Sequence, residues 1–182
     1  MHTRTDIVRF DIFFTDSRRF DHIHTRLSDE KSVVFKVDAS NGVVLGFFTS
    51  ARNLDEMYEI VISGWNNKTS VIRCSHHAAS MASANTTGLL CGGRYTQLWA
   101  DARGGLVRLG RGDVVGHNVI VEWQDPDPLD VQSLGLKNGD WPGTAGKWLI
   151  KSPDPSRQSV LGWILLNTPQ LTELSLGGKC AR

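Results

Sequence analysis

Few residues of this chain are placed to do chemistry, and the clearest group lies in a turn. Asn138-Gly139-Asp140-Trp141-Pro142-Gly143 sets an indole beside an amide and a carboxylate, and a glycine–proline turn keeps such side chains near water. An aromatic face next to Asp and Asn suits a sugar, whose C–H groups stack on the ring while its hydroxyls pair with the polar atoms. Asn138, Asp140 and Trp141 are therefore the candidate ligand-binding residues, with Asp125 and Arg111 as neighbours from other turns. Glu59 and Arg73 are charged residues inside apolar alternation. On adjacent strands they would form an internal ion pair, or a hydrogen-bonding pair at the floor of a pocket.

The remaining clusters are less specific. Asp125-Pro126-Asp127-Pro128-Leu129-Asp130 gathers carboxylates without the spacing of a calcium-binding helix–loop–helix, so no metal is assigned, although calcium stays open at this loop. Zinc at Cys74, His76 and His77 would need a second ligand pair, which Cys91 alone does not supply. Ser75 beside His76 is sequence adjacency only, and no acid–base pair stands out. No catalytic residue is assigned, and the expectation is a binding protein and not an enzyme. In a secreted chain Cys74 and Cys91 could close a disulfide loop, which leaves Cys180 on the C-terminal tail for an interchain bond. Asn67-Lys68-Thr69 and Asn85-Thr86-Thr87 are glycosylation sequons.

The elements that position these residues are short. Val33–Val37, Val43–Phe47, Tyr58–Ile62, Leu106–Leu109, Asn118–Trp123 and Trp148–Ile150 are β-branched or aromatic runs with a two-residue period. Between them lie Ser40-Asn41-Gly42, Asn66-Asn67-Lys68, Arg103-Gly104-Gly105 and Arg111-Gly112-Asp113, all turn sequences. No window holds three turns of amphipathic helix, and Cys74 to Ala84 reads as a loop. Ten or more such strands predict an all-β fold: a single-domain antiparallel β-sandwich of jelly-roll type. Residues 33–151 form its body, 1–32 are flanking N-terminal strands, and 152–182 are a C-terminal extension with further strands or an oligomer contact. Trp65, Trp99, Trp123 and Trp163 lie in or beside apolar runs and are expected in the core.

Composition narrows the function classes. The 182 residues carry 20 Lys+Arg against 19 Asp+Glu, a net charge of +1, which gives no signal for nucleic acid. No run approaches the roughly 20 apolar residues of a membrane span. Secretion is the expected location, although no leader is visible in these residues.

Tyr58-Glu59-Ile60-Val61-Ile62-Ser63-Gly64-Trp65-Asn66-Asn67-Lys68-Thr69-Ser70-Val71-Ile72-Arg73 resembles the signature of the farnesoic acid O-methyltransferase domain family. Val33–Ala39, Leu98-Trp99, Gly105–Gly112, Val121–Asp125 and Gly139–Trp148 are similar to its other segments and fall in its order, over about residues 33–150. Two departures are Ser63, where the family usually has glycine, and the insertion-like stretch Ser75 to Gly93. The resemblance implies a domain recurrent in extracellular animal proteins, read here as an all-β, lectin-like binding module. The family's name implies transfer of a methyl group from S-adenosylmethionine to a farnesoic-acid-like carboxylate. A strand–glycine turn–helix unit of the kind that cradles such a cofactor is not visible in the sequence, where Gly110-Arg111-Gly112 is a lone glycine pair.

The reading that follows is a secreted protein that binds glycans, works as a homodimer or larger homo-oligomer, and contacts neither nucleic acid nor the membrane interior. Methyl transfer and a protein–protein module without a small ligand are the alternatives.

Overall fold

The structure, a computed structural model, describes residues 10–15, 20–23, 27, 31–50, 53–139 and 145–151. The alternating runs become strands β1 (Phe10–Thr15), β2 (Asp21–Ile23), β3 (Ser32–Asp38), β4 (Val43–Phe48), β5 (Met57–Ser63) and β6 (Thr69–Arg73). They continue as β7 (Ser80–Asn85), β8 (Thr96–Arg103), β9 (Leu106–Arg111), β10 (Val119–Gln124), β11 (Ser133–Asn138) and β12 (Gly146–Lys151). One sheet has the order β1-β12-β3-β8-β9-β10, the other β2-β11-β4-β5-β6-β7, and every pairing is antiparallel. The result is the expected jelly-roll-like sandwich. Both N-terminal strands join it, β1 on β12 and β2 on β11.

Alternation decides what fills the space between the sheets. Val33, Phe35 and Val37 of β3 point inward, as do Leu98, Ala100 and Ala102 of β8. From the second sheet Leu45, Phe47, Tyr58, Ile60, Ile72, Leu134 and Leu136 meet them. Each fully buried side chain of this size stabilises the fold by roughly 1.5–3 kcal/mol relative to an exposed one. Tyr58 also reaches out of this layer: its hydroxyl donates to Asp125 Oδ2 at 2.7 Å and accepts the Leu129 N–H at 2.9 Å. That latch fixes the Asp125–Asp130 loop, and burial pushes the phenol's pKa up.

Strands β4 and β5 break the two-residue rule, because every residue in them is buried. Both faces are therefore covered. On the outer face Val44, Val61 and Val71 form a small second cluster with Phe20, and Phe20 meets the Phe48 ring edge-on at 5.0 Å. A side chain at Gly46 would run into the Phe48 ring and Met57. Glycine there lets the aromatic ring lie flat on the sheet.

Three expectations need correction. Trp65 is not in the core; it is 43% exposed. The stretch read as a loop from Cys74 to Ala84 contains most of β7, whose Ser, Ala and Met side chains pattern weakly but pair along β6. Cys74 is a free thiol, so the expected Cys74–Cys91 bridge does not form. Cys74 follows the Arg73 end of β6, whereas Cys91 follows Leu90, which Asn67 holds at the Thr69 end. The five residues between span roughly 16 Å, and bridged cysteines have Cα atoms within about 7 Å. Cys180 and Trp163 lie outside the described residues.

The packing of the first sheet gives a direct test. A methyl at Gly110 would stand 2.1 Å from Trp99 Cζ2. Gly110→Ala is expected to destabilise the protein by about 1–3 kcal/mol, read from urea unfolding; an unchanged midpoint would show that the indole has room to move.

Candidate functional site

The register of the second sheet lines up one row of outward-facing residues. Gly135 of β11 sits opposite Gly46 of β4, Gly46 opposite Glu59 of β5, and Glu59 opposite Arg73 of β6. Two glycines followed by two charged residues give a strip with little side-chain bulk at one end and a buried carboxylate in the middle. Glu59 is 1% exposed. An ionised carboxylate so far from water requires donors around it.

The donors come from three places. Arg73 Nη1 donates to Oε2 at 2.8 Å, His76 Nδ1 lies 2.7 Å from Oε1, and the His77 backbone N–H reaches Oε2 at 3.3 Å. Lys137 of β11, fully buried, places Nζ 3.9 Å from Oε1. Its ammonium also lies 5.3 Å from the Phe20 ring, a cation–π contact.

Burial lowers the His76 pKa, and this outweighs the opposing pull of Glu59; the positive charge of Lys137 acts in the same direction as burial. His76 is therefore a neutral imidazole that donates Nδ1–H to Glu59. Its Nε2 is left as an acceptor with no hydrogen bond among the described residues. The ring is positioned by its backbone N–H to Leu54 O at 2.9 Å and by the edge of Phe20 at 5.7 Å. A carboxylate that orients an imidazole and leaves its far nitrogen bare is an acid–base pair. Sequence reading missed it because the two residues are seventeen positions apart and meet only through the β5–β6 hairpin.

Trp65 borders this cluster. It sits in the turn Gly64–Asn67, where Ser63, Trp65, Asn66 and Asn67 have φ of 52°, 50°, 60° and 59°. Left-handed backbone is unfavourable for residues other than glycine, although Asn tolerates it best. The surroundings hold it. Asn67 Nδ2 donates to Leu90 O at 2.6 Å and Asn67 Oδ1 accepts the Leu90 N–H at 3.2 Å, while the Asn67 N–H reaches Asn41 Oδ1 at 3.0 Å. Ser70 Oγ accepts the Ser63 N–H at 3.0 Å. The left-handed φ of Ser63 gives the physical reason for a glycine at this position. So mounted, the Trp65 indole lies 5.7 Å from the Arg73 guanidinium carbon. An exposed aromatic face, a guanidinium and an imidazole nitrogen thus share the outer face of β5 and β6.

The residues expected to bind ligand are placed elsewhere. Asp125 is engaged in the Tyr58 latch and also accepts the Asp127 N–H at 3.0 Å. Arg111 is exposed at the far end of β9, where its N–H bonds Asn118 O, while Asp125 bonds Gly105 O before the near end of the same strand. Asn138 is buried at the end of β11, opposite Val43. The structure does not bring these three together, and Asp140 and Trp141 lie outside the described residues. Among the described residues no group of three His, Cys, Asp or Glu side chains is placed to hold a metal ion, and no helix is long and apolar enough to cross a membrane.

A second buried carboxylate stands on the opposite sheet. Arg108 Nε donates to Asp101 Oδ1 at 3.0 Å and Nη2 to Oδ2 at 2.6 Å. Its guanidinium lies 5.5 Å from the ring centre of the buried Trp99, whose indole N–H bonds His117 O at 2.8 Å.

Comparison with known proteins gives a family. The model of the family described as farnesoic acid O-methyl transferase matches residues 9–154, and the chain belongs to that family. The expectation that the chain is not an enzyme is corrected by this membership, since the family is named for a catalytic activity. No curated protein matches the sequence. Among solved structures the chain is similar to a carbohydrate-binding module, CBM66, from Bacillus subtilis, with TM-score 0.49, 10% identity, and 81% of this chain and 98% of that one covered. It is also similar to the galectin LEC-6 of Caenorhabditis elegans, with TM-score 0.48, 10% identity and coverage of 77% and 94%. A prokaryotic β-1,3-1,4-glucanase (lichenase) derived from a mouse hindgut metagenome gives TM-score 0.49, 10% identity and 78% of each chain.

The cofactor implied by the family's name does not fit the described residues. A glycine turn that binds S-adenosylmethionine needs open backbone at the start of a helix. At Gly110-Arg111-Gly112 the space over Gly110 is filled by the Trp99 ring, and the turn joins two antiparallel strands. No step is derived through that cofactor.

The neutral state of His76 has a consequence for stability. Its pKa in the folded chain lies below the ordinary 6.5, so in that window the unfolded chain binds the proton more readily. Stability is therefore expected to fall as pH drops below about 6.5 and to be restored above it. Thermal melts of the wild type and His76→Gln between about pH 7.5 and pH 5 check this, and the wild type should lose more on acidification. Parallel profiles would show that the imidazole is not held neutral.

Proposed function

We propose that this member of the farnesoic acid O-methyl transferase family binds a carbohydrate on the outer face of β5 and β6. The observation that carries the reading is the exposed Trp65 indole, held on a fixed turn beside a guanidinium anchored by a buried carboxylate. A sugar ring stacks on such a face through its C–H groups. Arg73 and His76 Nε2 then supply a donor and an acceptor for its oxygens. A single shallow site of this kind is weak. Oligomerisation of a secreted chain would supply avidity, often of a hundredfold or more.

A second reading, chemical turnover of the bound ligand, is favoured by the Glu59–His76 pair, which has the form of a general base with its orienting carboxylate. His76→Gln is expected to weaken sugar binding by no more than the loss of one hydrogen bond, about tenfold, while reducing any turnover by about 10²–10⁴. Mass spectrometry of glycans incubated with each protein reads the difference, and unchanged glycans with the wild type remove this reading.

Glycan-array binding by the labelled wild type and Trp65→Ala tests the first. The variant is expected to lose binding by about tenfold or more, which corresponds to roughly 1.4 kcal/mol. A thermal melt of the variant is run beside the array, because more than half of the indole is covered and its removal is expected to cost about 1 kcal/mol of stability. Full binding by the variant would move the site elsewhere, and a blank array for the wild type would sink the reading.

A further inference from the structure

We propose that the ligand is an acidic sugar whose carboxylate is bound by Arg73; this rests on the carbohydrate reading above and names the class within it. Two arginines pair with buried carboxylates, and they do so differently. Arg108 turns the Nε–Nη2 edge of its guanidinium to Asp101 and makes both bonds, at 3.0 and 2.6 Å. That edge is the planar fork that matches the two oxygens of a carboxylate. The Arg108 fork is saturated.

Arg73 is arranged differently. It gives Glu59 a single bond, from Nη1 at 2.8 Å. Its Nε is buried and has no hydrogen-bond partner among the described residues. Glu59 is poorly placed to supply one: Oε1 takes His76, and Oε2 takes Arg73 Nη1 and the His77 N–H. The Nε–Nη2 edge, which in Arg108 faces a carboxylate, therefore faces none here. A buried N–H without an acceptor is rare in folded proteins and calls for an explanation. The side chain of Arg73 is 15% exposed, beside an indole 5.7 Å from its guanidinium carbon. Nη2 is the end of this edge that solvent reaches, since Nε itself is covered; a carboxylate on a sugar ring stacked against Trp65 would pair with Nη2 through one oxygen and, with a tilt of the guanidinium, with Nε through the other. A hydroxyl supplies one. Lys137, whose Nζ lies 3.9 Å from the same Glu59, adds positive charge on the far side of the carboxylate and favours an anion further.

The test uses the full chain and matched pairs of ligands. Oligogalacturonates and sialylated glycans are titrated beside their carboxyl-reduced and desialylated counterparts, at low and at high salt. At least one acidic member should bind tenfold or more tightly than its neutral partner, and its affinity should fall with salt. Arg73→Lys keeps the charge and removes the fork; it should erase the preference. Should that variant fail to fold, the wild-type comparison of acidic and reduced ligands decides alone. Equal affinity within each pair, or binding of neutral sugars only, overturns the acidic class and leaves carbohydrate binding standing. Binding of no sugar at all overturns both.

Discussion

The outer face of the second sheet is organised by the need to solvate one carboxylate without water. Glu59 lies in the middle of β5, with strands on both sides and an apolar layer of Phe48, Met57 and Phe20 nearby. Its desolvation would cost several kcal/mol if nothing compensated. Compensation comes from β6 through Arg73, from the segment after β6 through His76 and His77, and from β11 through Lys137. Strand β5, the Arg73–His77 stretch and β11 are thereby held in one arrangement. The polar cluster fixes geometry where the apolar layer alone would allow sliding.

The first sheet solves the same problem by another route. Asp101 is as buried as Glu59 but is matched by a single side chain, Arg108, through two parallel bonds. The two-toothed edge of the guanidinium is fully used there. At Glu59 the compensation is shared among four groups, and sharing leaves some of them incompletely used: one guanidinium edge and one imidazole nitrogen. Both solutions are stable, but only the second leaves polar capacity facing an exposed aromatic ring.

Much of this was legible in the residues. The two-residue period and the turn sequences indicate the sandwich, and a charge inside apolar alternation at Glu59 and again at Arg73 indicates a cross-strand pair. The pairing of His76 with Glu59 was not legible, because it depends on how the chain leaves β6 and turns back under Leu54. Trp65 misled for a physical reason. It follows the apolar run that ends at Ile62, but the left-handed turn carries the side chain out of the core, and a run of three non-glycine left-handed residues has no local signature beyond the two asparagines. Asp125 misled in the opposite direction: a carboxylate in a proline-rich turn looks free, and the tyrosine that claims it lies 67 positions earlier.

The family is named for a methyl transfer; at Gly110-Arg111-Gly112 the space over Gly110 is filled by Trp99, and among the described residues the Glu59 cluster lies on the other sheet. The turn at Gly64–Asn67 carries one more consequence. Because its backbone is held in place by Asn41, Ser70 and Leu90, the direction in which the Trp65 side chain leaves the chain is set by main chain, and only its two side-chain torsions remain to be ordered. Much of the ordering that a ligand would otherwise impose is completed when the chain folds. The backbone share of the entropy of presenting the aromatic face is charged to folding, and a partner has only the side chain's own torsions left to restrict.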